Sequence, residues 1–227
     1  MAKLILVPTP IGNLEDITLR ALRILKEVDL ILAEDTRKAA ILLKHYGIHG
    51  KKVSSYHNFN EHYIVENIVK KISYGLNIAL ISEAGTPAIS DPGFLIVREC
   101  LRANIDIECL PGPTALIPAL VLSGLPCETF VFQGFLPVKK GLNSLLTLLS
   151  KESRTMIFYE APHRIQKTLT KFCEYFGEDR KASISREISK IYEQTYRGKL
   201  IELLSIFNTQ KPKGEIVIVV EGYRDNK

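Results

Sequence analysis

Short apolar runs alternate with stretches of helical period through the first half of the chain. Lys3–Val7, Asp29–Ala33, Val53–Tyr56, Asn77–Ile81 and Ile105–Leu110 each read as a short strand. Between them the apolar positions recur on one helical face. Leu19, Leu22 and Leu25 follow a cap at Asp16 or Thr18. A second helix opens at Glu34-Asp35-Thr36-Arg37 and runs to about Lys44. A third carries Ile64, Ile68 and Ile72 with Val65 and Val69, and stops at Gly75. A fourth runs from Pro92 to about Arg102, with Asp91 as its cap and Pro92 at its first position. A fifth, almost wholly apolar, ends at Ser123-Gly124. Strands alternating with helices predict a largely parallel sheet covered on both faces.

The pattern changes after Leu125-Pro126. Thr129–Gln133 reads as a strand, and Gly134–Gly141, with Pro137, Lys139 and Lys140, as a hinge into a second domain. There Thr155–Tyr159 is a strand. Ile165, Leu169, Phe172, Cys173 and Phe176 then share one face of a helix that follows Pro162. Lys181–Arg186 and Ile191–Arg197 are expected strands, and Lys199–Phe207 an expected helix. Ile216–Val220 is an unbroken β-branched run, the mark of a strand buried on both faces. The expected fold class is therefore α/β with two domains, residues 1–125 and 126–227, each a mostly parallel or mixed sheet flanked by helices.

Composition narrows this little. A chain of 227 residues can bury a real core in each of two domains, and its net charge of +5 suits an RNA partner or many metabolic enzymes equally. The four cysteines lie far apart, which disfavours a disulfide framework or a zinc site and points to a reducing compartment. His45 and His49 are four apart, but Gly47 between them ends the helix, so no metal centre is expected. Leu4–Val7 is cut short by Pro8, and Ala115–Leu125 is broken by Pro118 and Gly124. Neither reaches the length of a membrane span, and a cytoplasmic protein without a membrane partner is expected.

Candidate chemistry gathers where strands end, the place where open α/β sheets bind ligands. Four segments qualify: Pro8–Asn13, Glu34–Arg37, Ser82–Gly93 and Pro111–Ala115. Three combine Gly or Pro with Thr and bring backbone within reach of a ligand. The chain has no G-x-G-x-x-G after its first strand and no G-x-x-x-x-G-K-[ST]. A cofactor without phosphates, held through main-chain groups, fits better than a dinucleotide or nucleoside triphosphate. The segment around Asp35 and Arg37 offers either cleft groups or a helix cap. Glu83 is either a grip for a hydroxyl or ammonium group or a solvated loop acid. His57 beside Asn58 could touch substrate or lie on the surface. Tyr159-Glu160-Ala161-Pro162-His163-Arg164 places an aromatic, an imidazole and a guanidinium together, a set suited to stacking on a base or pairing with phosphate. Covalent catalysis by Ser-His-Asp or by a reactive Cys has no support.

The segments VPTPIGNLEDITLRA, AEDTR, SEAGTPAISDPG, LPGPTA, FYEAPHRI, REISKIYEQTYRG and KGEIVIVVEG occur in this order. Together they resemble the tetrapyrrole (corrin/porphyrin) methylase superfamily, and within it the ribosomal RNA small subunit methyltransferase I branch. The resemblance runs from Leu4 to about Gly222. It implies an S-adenosylmethionine-dependent methyltransferase of two α/β domains, with the cofactor in the cleft between them and a homodimeric assembly. It implies methylation of the 2′-hydroxyl of a cytidine in the decoding region of 16S ribosomal RNA. Carried over by motif, Pro10, Gly85, Thr86, Ile89, Thr114, Ala115 and Tyr159 would line the cofactor. AEDTR and EAPHRI would face the substrate, making Arg37 and Arg164 candidate substrate residues beside the His57 of the loop reading.

The implied reaction is in-line attack of the ribose 2′-oxygen on the sulfonium methyl. Asp35, Glu83 and His163 are the candidate general bases. Two other readings compete. One is methylation of a small tetrapyrrole acid, which the PTPIGN and SEAGTPAISDPG loops disfavour. The other is a non-catalytic RNA-binding or assembly factor that keeps the fold.

Overall fold

The computed structural model of the protein describes residues 2–210 and 212–224 and divides into two compact units, Met1–Thr114 and Ala115–Lys227. In the first unit, β1 (Lys3–Leu6), β2 (Leu30–Ala33), β3 (Val53–Ser55), β4 (Ile78–Ile81) and β5 (Asp106–Cys109) form a sheet in the order β3-β2-β4-β1-β5. Every pairing is parallel, as the alternation predicts. The pleat sends successive residues of β1 to opposite faces. Leu4 and Leu6 pack with Ile68, Ile72 and Ile96 from α3 (Glu61–Ser73) and α4 (Phe94–Arg102). Ile5 packs with Ala21, Leu25 and Leu43 from α1 (Leu19–Glu27) and α2 (Thr36–His45) on the other face. Thr18, not Asp16, caps α1: its Oγ1 accepts the Ala21 N–H at 3.0 Å.

One expected boundary moves. Asp91 does not cap α4, and Pro92 is not its first residue; the helix begins at Phe94 behind Gly93. The loop is still coiling at Pro92, whose carbonyl accepts the Ala88 N–H at 3.3 Å, and Ala88 and Ser90 both have positive φ. Gly93, at φ +148°, makes the final turn, where a Cβ would stand 2.9 Å from that of Ala88.

The second unit holds β6 (Phe130–Phe135), β7 (Thr155–Glu160), β8 (Lys181–Arg186), β9 (Gln194–Lys199) and β10 (Ile216–Val220), in the order β6-β7-β10-β8-β9. Only β6 and β7 run parallel; the other three pairings are antiparallel, so this sheet is mixed. All five residues of β10 are buried. Alternate side chains of β7, β8 and β10 join α6 (Leu142–Leu149), α7 (Ile165–Phe176) and α8 (Leu200–Thr209) in one core.

Three differences from the sequence reading lie here. The apolar helix α5 (Leu116–Ser123) packs on β8 and β10, so the division between units falls after Thr114 and not after Leu125. Its buried Ala119, Leu120 and Ser123 supply one side for that packing. Helix α6 occupies a stretch to which the sequence assigned nothing, although Leu142, Leu145, Leu146 and Leu149 recur at helical spacing. Strand β9 starts at Gln194 instead of Ile191. Residues 187–193 fold into a turn with Glu187 and Ser189 at positive φ, tied down where Lys190 Nζ meets Glu187 at 2.9 Å and Glu215 at 2.8 Å.

Candidate active site

The loops after β1, β4 and β5 are bound to one another. Thr9 and Gly85 exchange both main-chain hydrogen bonds at 2.9 Å, a single antiparallel bridge outside the sheet. The buried Thr9 hydroxyl donates to the Ser82 carbonyl at 3.1 Å, and the Ser82 hydroxyl to the Gly85 carbonyl at 2.9 Å. Thr86 Oγ1 donates to the Pro113 carbonyl at 3.2 Å. Gly85 has φ +84° and faces Ile11 and Pro113. Gly112 lies so close under Pro8 that a Cβ there would stand 2.6 Å from the Pro8 ring. These contacts explain why Gly, Pro and Thr recur in the loops: backbone meets backbone, and polar atoms are satisfied by short hydroxyls. Pro10 is buried, Thr86 and Thr114 are half-buried, and Ile89 is exposed on the same loop as Gly85. None of the three loops contains Lys or Arg.

Beside them, charged groups rise from the ends of β2, β3 and β4. The Asp35 carboxylate accepts the Arg37 main-chain N–H at 2.8 Å, and the Arg37 Nε and Nη2 at 3.1 and 2.8 Å. It is the cap of α2. Arg37 holds its carboxyl well below the usual carboxylate range, through the side-chain bonds first and the amide second. Glu83 is exposed and paired with Lys38, whose acidity it lowers. Glu34 is half-buried. Burial, and then the charge of Glu83, push its carboxyl up, against the opposing pull of His57 and Lys38. His57 is fixed by Asn60, which accepts the His57 main-chain N–H at 2.8 Å and donates to the Ser55 carbonyl at 3.2 Å. The His57 Nδ1 is buried and finds no partner among the described residues. Pro10, Asp35, Lys38 and Glu83 line a recess of about 260 Å³.

The sequence candidates thus divide. Pro10, Gly85, Thr86, Ile89, Asp35, Glu83, Arg37 and His57 all belong to the strand-end loops of the first unit or the start of α2, and Thr114 ends that unit. Ala115 caps α5. Tyr159, His163 and Arg164 belong to the second unit. Tyr159 sits edge-on to Phe132 and Phe135, with ring centres 5.0 and 5.7 Å away. His163 is exposed. The Arg164 guanidinium is turned inward, donating to the Leu136 carbonyl at 3.0 Å and standing 3.4 Å from Glu160 Oε1. Asp35 and Arg37 are also engaged chiefly with each other. Glu34 lay within the candidate segment Glu34–Arg37 without a role of its own; its place directly after the buried run Leu30–Ala33 was the available signal. No helix among the described residues is long and apolar enough to cross a membrane.

Residues 3–204 match the pattern that defines the tetrapyrrole (corrin/porphyrin) methylases. The chain is 46% identical over 222 residues to the ribosomal RNA small subunit methyltransferase I of Thermotoga maritima, covering 98% of this chain and 99% of that protein. It is 47% identical over 223 residues to the protein of the same name from Synechocystis, covering 98% and 80%. Among solved structures, a cobalt precorrin-4 methyltransferase of cobalamin biosynthesis aligns with a TM-score of 0.71 at 19% identity, over 96% of this chain and 94% of that one. A uroporphyrin-III-C-methyltransferase from Thermus thermophilus aligns at 0.66, also at 19% identity, over 96% and 94%. The chain belongs to the tetrapyrrole methylase family, and its fold is that of these methyltransferases.

Proposed function

We propose that this protein methylates small-subunit ribosomal RNA, and that the acceptor is the 2′-hydroxyl of a cytidine in the decoding region of 16S RNA. The carrying observation is the near full-length identity to proteins named for small-subunit RNA methylation, set against only 19% to those named for porphyrin or corrin methylation. The methyl donor is S-adenosylmethionine. The strand-end loops suit it: they offer main-chain polar groups and glycine-permitted close approach, and contain no Lys or Arg to repel a cationic donor. Pro10, Gly85, Thr86 and Thr114 are the residues that would hold it there, and it supplies an electrophilic methyl with a neutral leaving group. An exposed acid such as Glu83 favours a cationic sulfonium nearby.

The protein's own task is then to orient the ribose and receive its proton. Positioning well-aligned reactants is worth roughly 7–11 kcal/mol, and a general base about 10²–10⁴-fold in rate. A cytoplasmic homodimer is the form we propose acts on the RNA.

The test is to incubate the protein and isotopically labelled donor with small-subunit RNA and, separately, with assembled small subunits, then to map 2′-O-methyl groups by primer extension and mass spectrometry. A new methyl on one decoding-region cytidine is the expected result. Label appearing in a uroporphyrinoid and not in RNA would establish the small-molecule reading instead.

A further inference from the structure

We infer that Glu34, set beside Glu83 and facing His57 at the ends of three adjacent strands, takes up the 2′-hydroxyl proton during methyl transfer. This rests on the RNA methylation proposed above and names the residue that completes it.

Register produces the juxtaposition. Ala33, the last residue of β2, pairs with Ser55 of β3 on one side and Ile81 of β4 on the other. The chain leaves all three strands at one edge of the sheet, and Glu34, His57 and Glu83 follow within one or two residues. The rival acids are committed elsewhere. Asp35 spends its oxygens on the α2 cap and the Arg37 guanidinium, and Glu83 is paired with Lys38. Among the described residues no hydrogen bond or ion pair occupies the Glu34 carboxylate, which is half-buried next to a second carboxylate. A carboxyl in that setting takes up a proton more readily than a solvated one. The unpartnered buried Nδ1 of His57, in the loop that leaves β3 beside Glu34, adds a second polar atom with unused hydrogen-bonding capacity. The groups facing Glu34 are thus Glu83 from the β4 loop, His57 from the β3 loop and Lys38 from α2.

The chemistry balances. As the bond from the 2′-oxygen to the methyl carbon forms and the sulfur–methyl bond breaks, the hydroxyl proton passes to Glu34. The products are a methyl ether, a neutral thioether and a carboxylic acid that returns its proton to water.

The test compares wild type with Glu34→Gln, Glu34→Asp and Glu83→Gln. Glu34→Gln is expected to slow single-turnover transfer to small-subunit RNA by about 10²–10⁴-fold with donor affinity by calorimetry unchanged, and Glu34→Asp to recover part of the rate. The wild-type rate should rise with pH through a midpoint above the ordinary glutamate value. In Glu83→Gln that midpoint should fall, because the like charge is gone. A separate readout needs no turnover: ¹³C-carboxyl NMR should show Glu34 titrating high in wild type and lower in Glu83→Gln. Glu34→Gln turning over at the wild-type rate with the same pH profile, or a Glu34 midpoint indifferent to Glu83, overturns the inference. Wild type inert toward every small-subunit RNA would instead strike the functional reading, and the NMR titration would still decide the coupling of the two carboxylates.

Discussion

Thr168 donates its hydroxyl to Glu160 Oε2 at 2.5 Å, with both residues almost fully buried. The other Glu160 oxygen accepts the Ala161 N–H at 2.8 Å and faces Arg164. One buried carboxylate therefore joins the end of β7, the turn after it and the second turn of α7. Replacing Thr168 by Val keeps the volume and removes the donor, leaving a charged oxygen buried with one partner fewer. Thr168→Val should lose about 1–3 kcal/mol of stability, read from urea unfolding. An unchanged midpoint would mean that water replaces the hydroxyl.

The two glycines of the strand-end loops should fail differently. At Gly85 a Cβ has ordinary room, 3.5 Å from Ile11, so the cost of Gly85→Ala is its positive φ, roughly 1–2 kcal/mol. Gly85→Asn should be the milder change, because Asn enters that backbone region more readily. At Gly112 the obstacle is the Pro8 ring, which cannot rotate away. There Ala should already destabilise by about 1–3 kcal/mol and Asn should be worse. The opposite orders in urea midpoints distinguish strain from collision. Gly85→Leu, which must push into Ile11 and Pro113, should abolish donor binding in calorimetry.

Acid sensitivity has a local source at Glu152. Its carboxylate takes the Arg154 main-chain N–H at 2.9 Å and the Arg154 Nε and Nη2 at 2.8 Å, and these bonds depress its pKa to about 2. A depressed carboxyl stabilises the fold above its unfolded value and loses that contribution as pH falls toward the folded one. Between about pH 5 and pH 2, Glu152→Gln should therefore lose less stability than wild type. The pair is largely solvated, so the difference should be small and should shrink in high salt.

The cysteines should react in order of exposure. Cys100 is fully buried in the α4 core, and burial pushes its thiol up to about 11. Cys127 and Cys109 are exposed, and Cys173 is partly so. Brief iodoacetamide treatment followed by mass spectrometry should label Cys127 and spare Cys100 until denaturant is added. Early labelling of Cys100 would mean that α4 opens readily.

The candidate loops were legible because strand ends, glycines and prolines are local signals. The loops after β1, β4 and β5 were picked out from Pro8–Asn13, Ser82–Gly93 and Pro111–Ala115, and they do bind one another through Thr9, Gly85 and Pro113. The roles of individual acids were not legible. Asp35 and Glu34 are neighbours in sequence, yet one turns back to cap α2 while the other stays beside Glu83. Arg164, read with Tyr159 and His163 as a set for stacking on a base or pairing with phosphate, donates to the Leu136 carbonyl.

By itself, the order of residues determined the alternation of strand and helix, the parallel character of the first sheet and the double-sided burial of Ile216–Val220. Those follow from apolar periodicity, which each segment carries within itself. Only the tertiary structure decided that α5 packs on β8 and β10, that Gly93 rather than Asp91 starts α4, and that Glu83 pairs with Lys38. Such outcomes depend on contacts between segments distant in the chain. Side chains there compete for the same partners, and no local pattern records which one prevails.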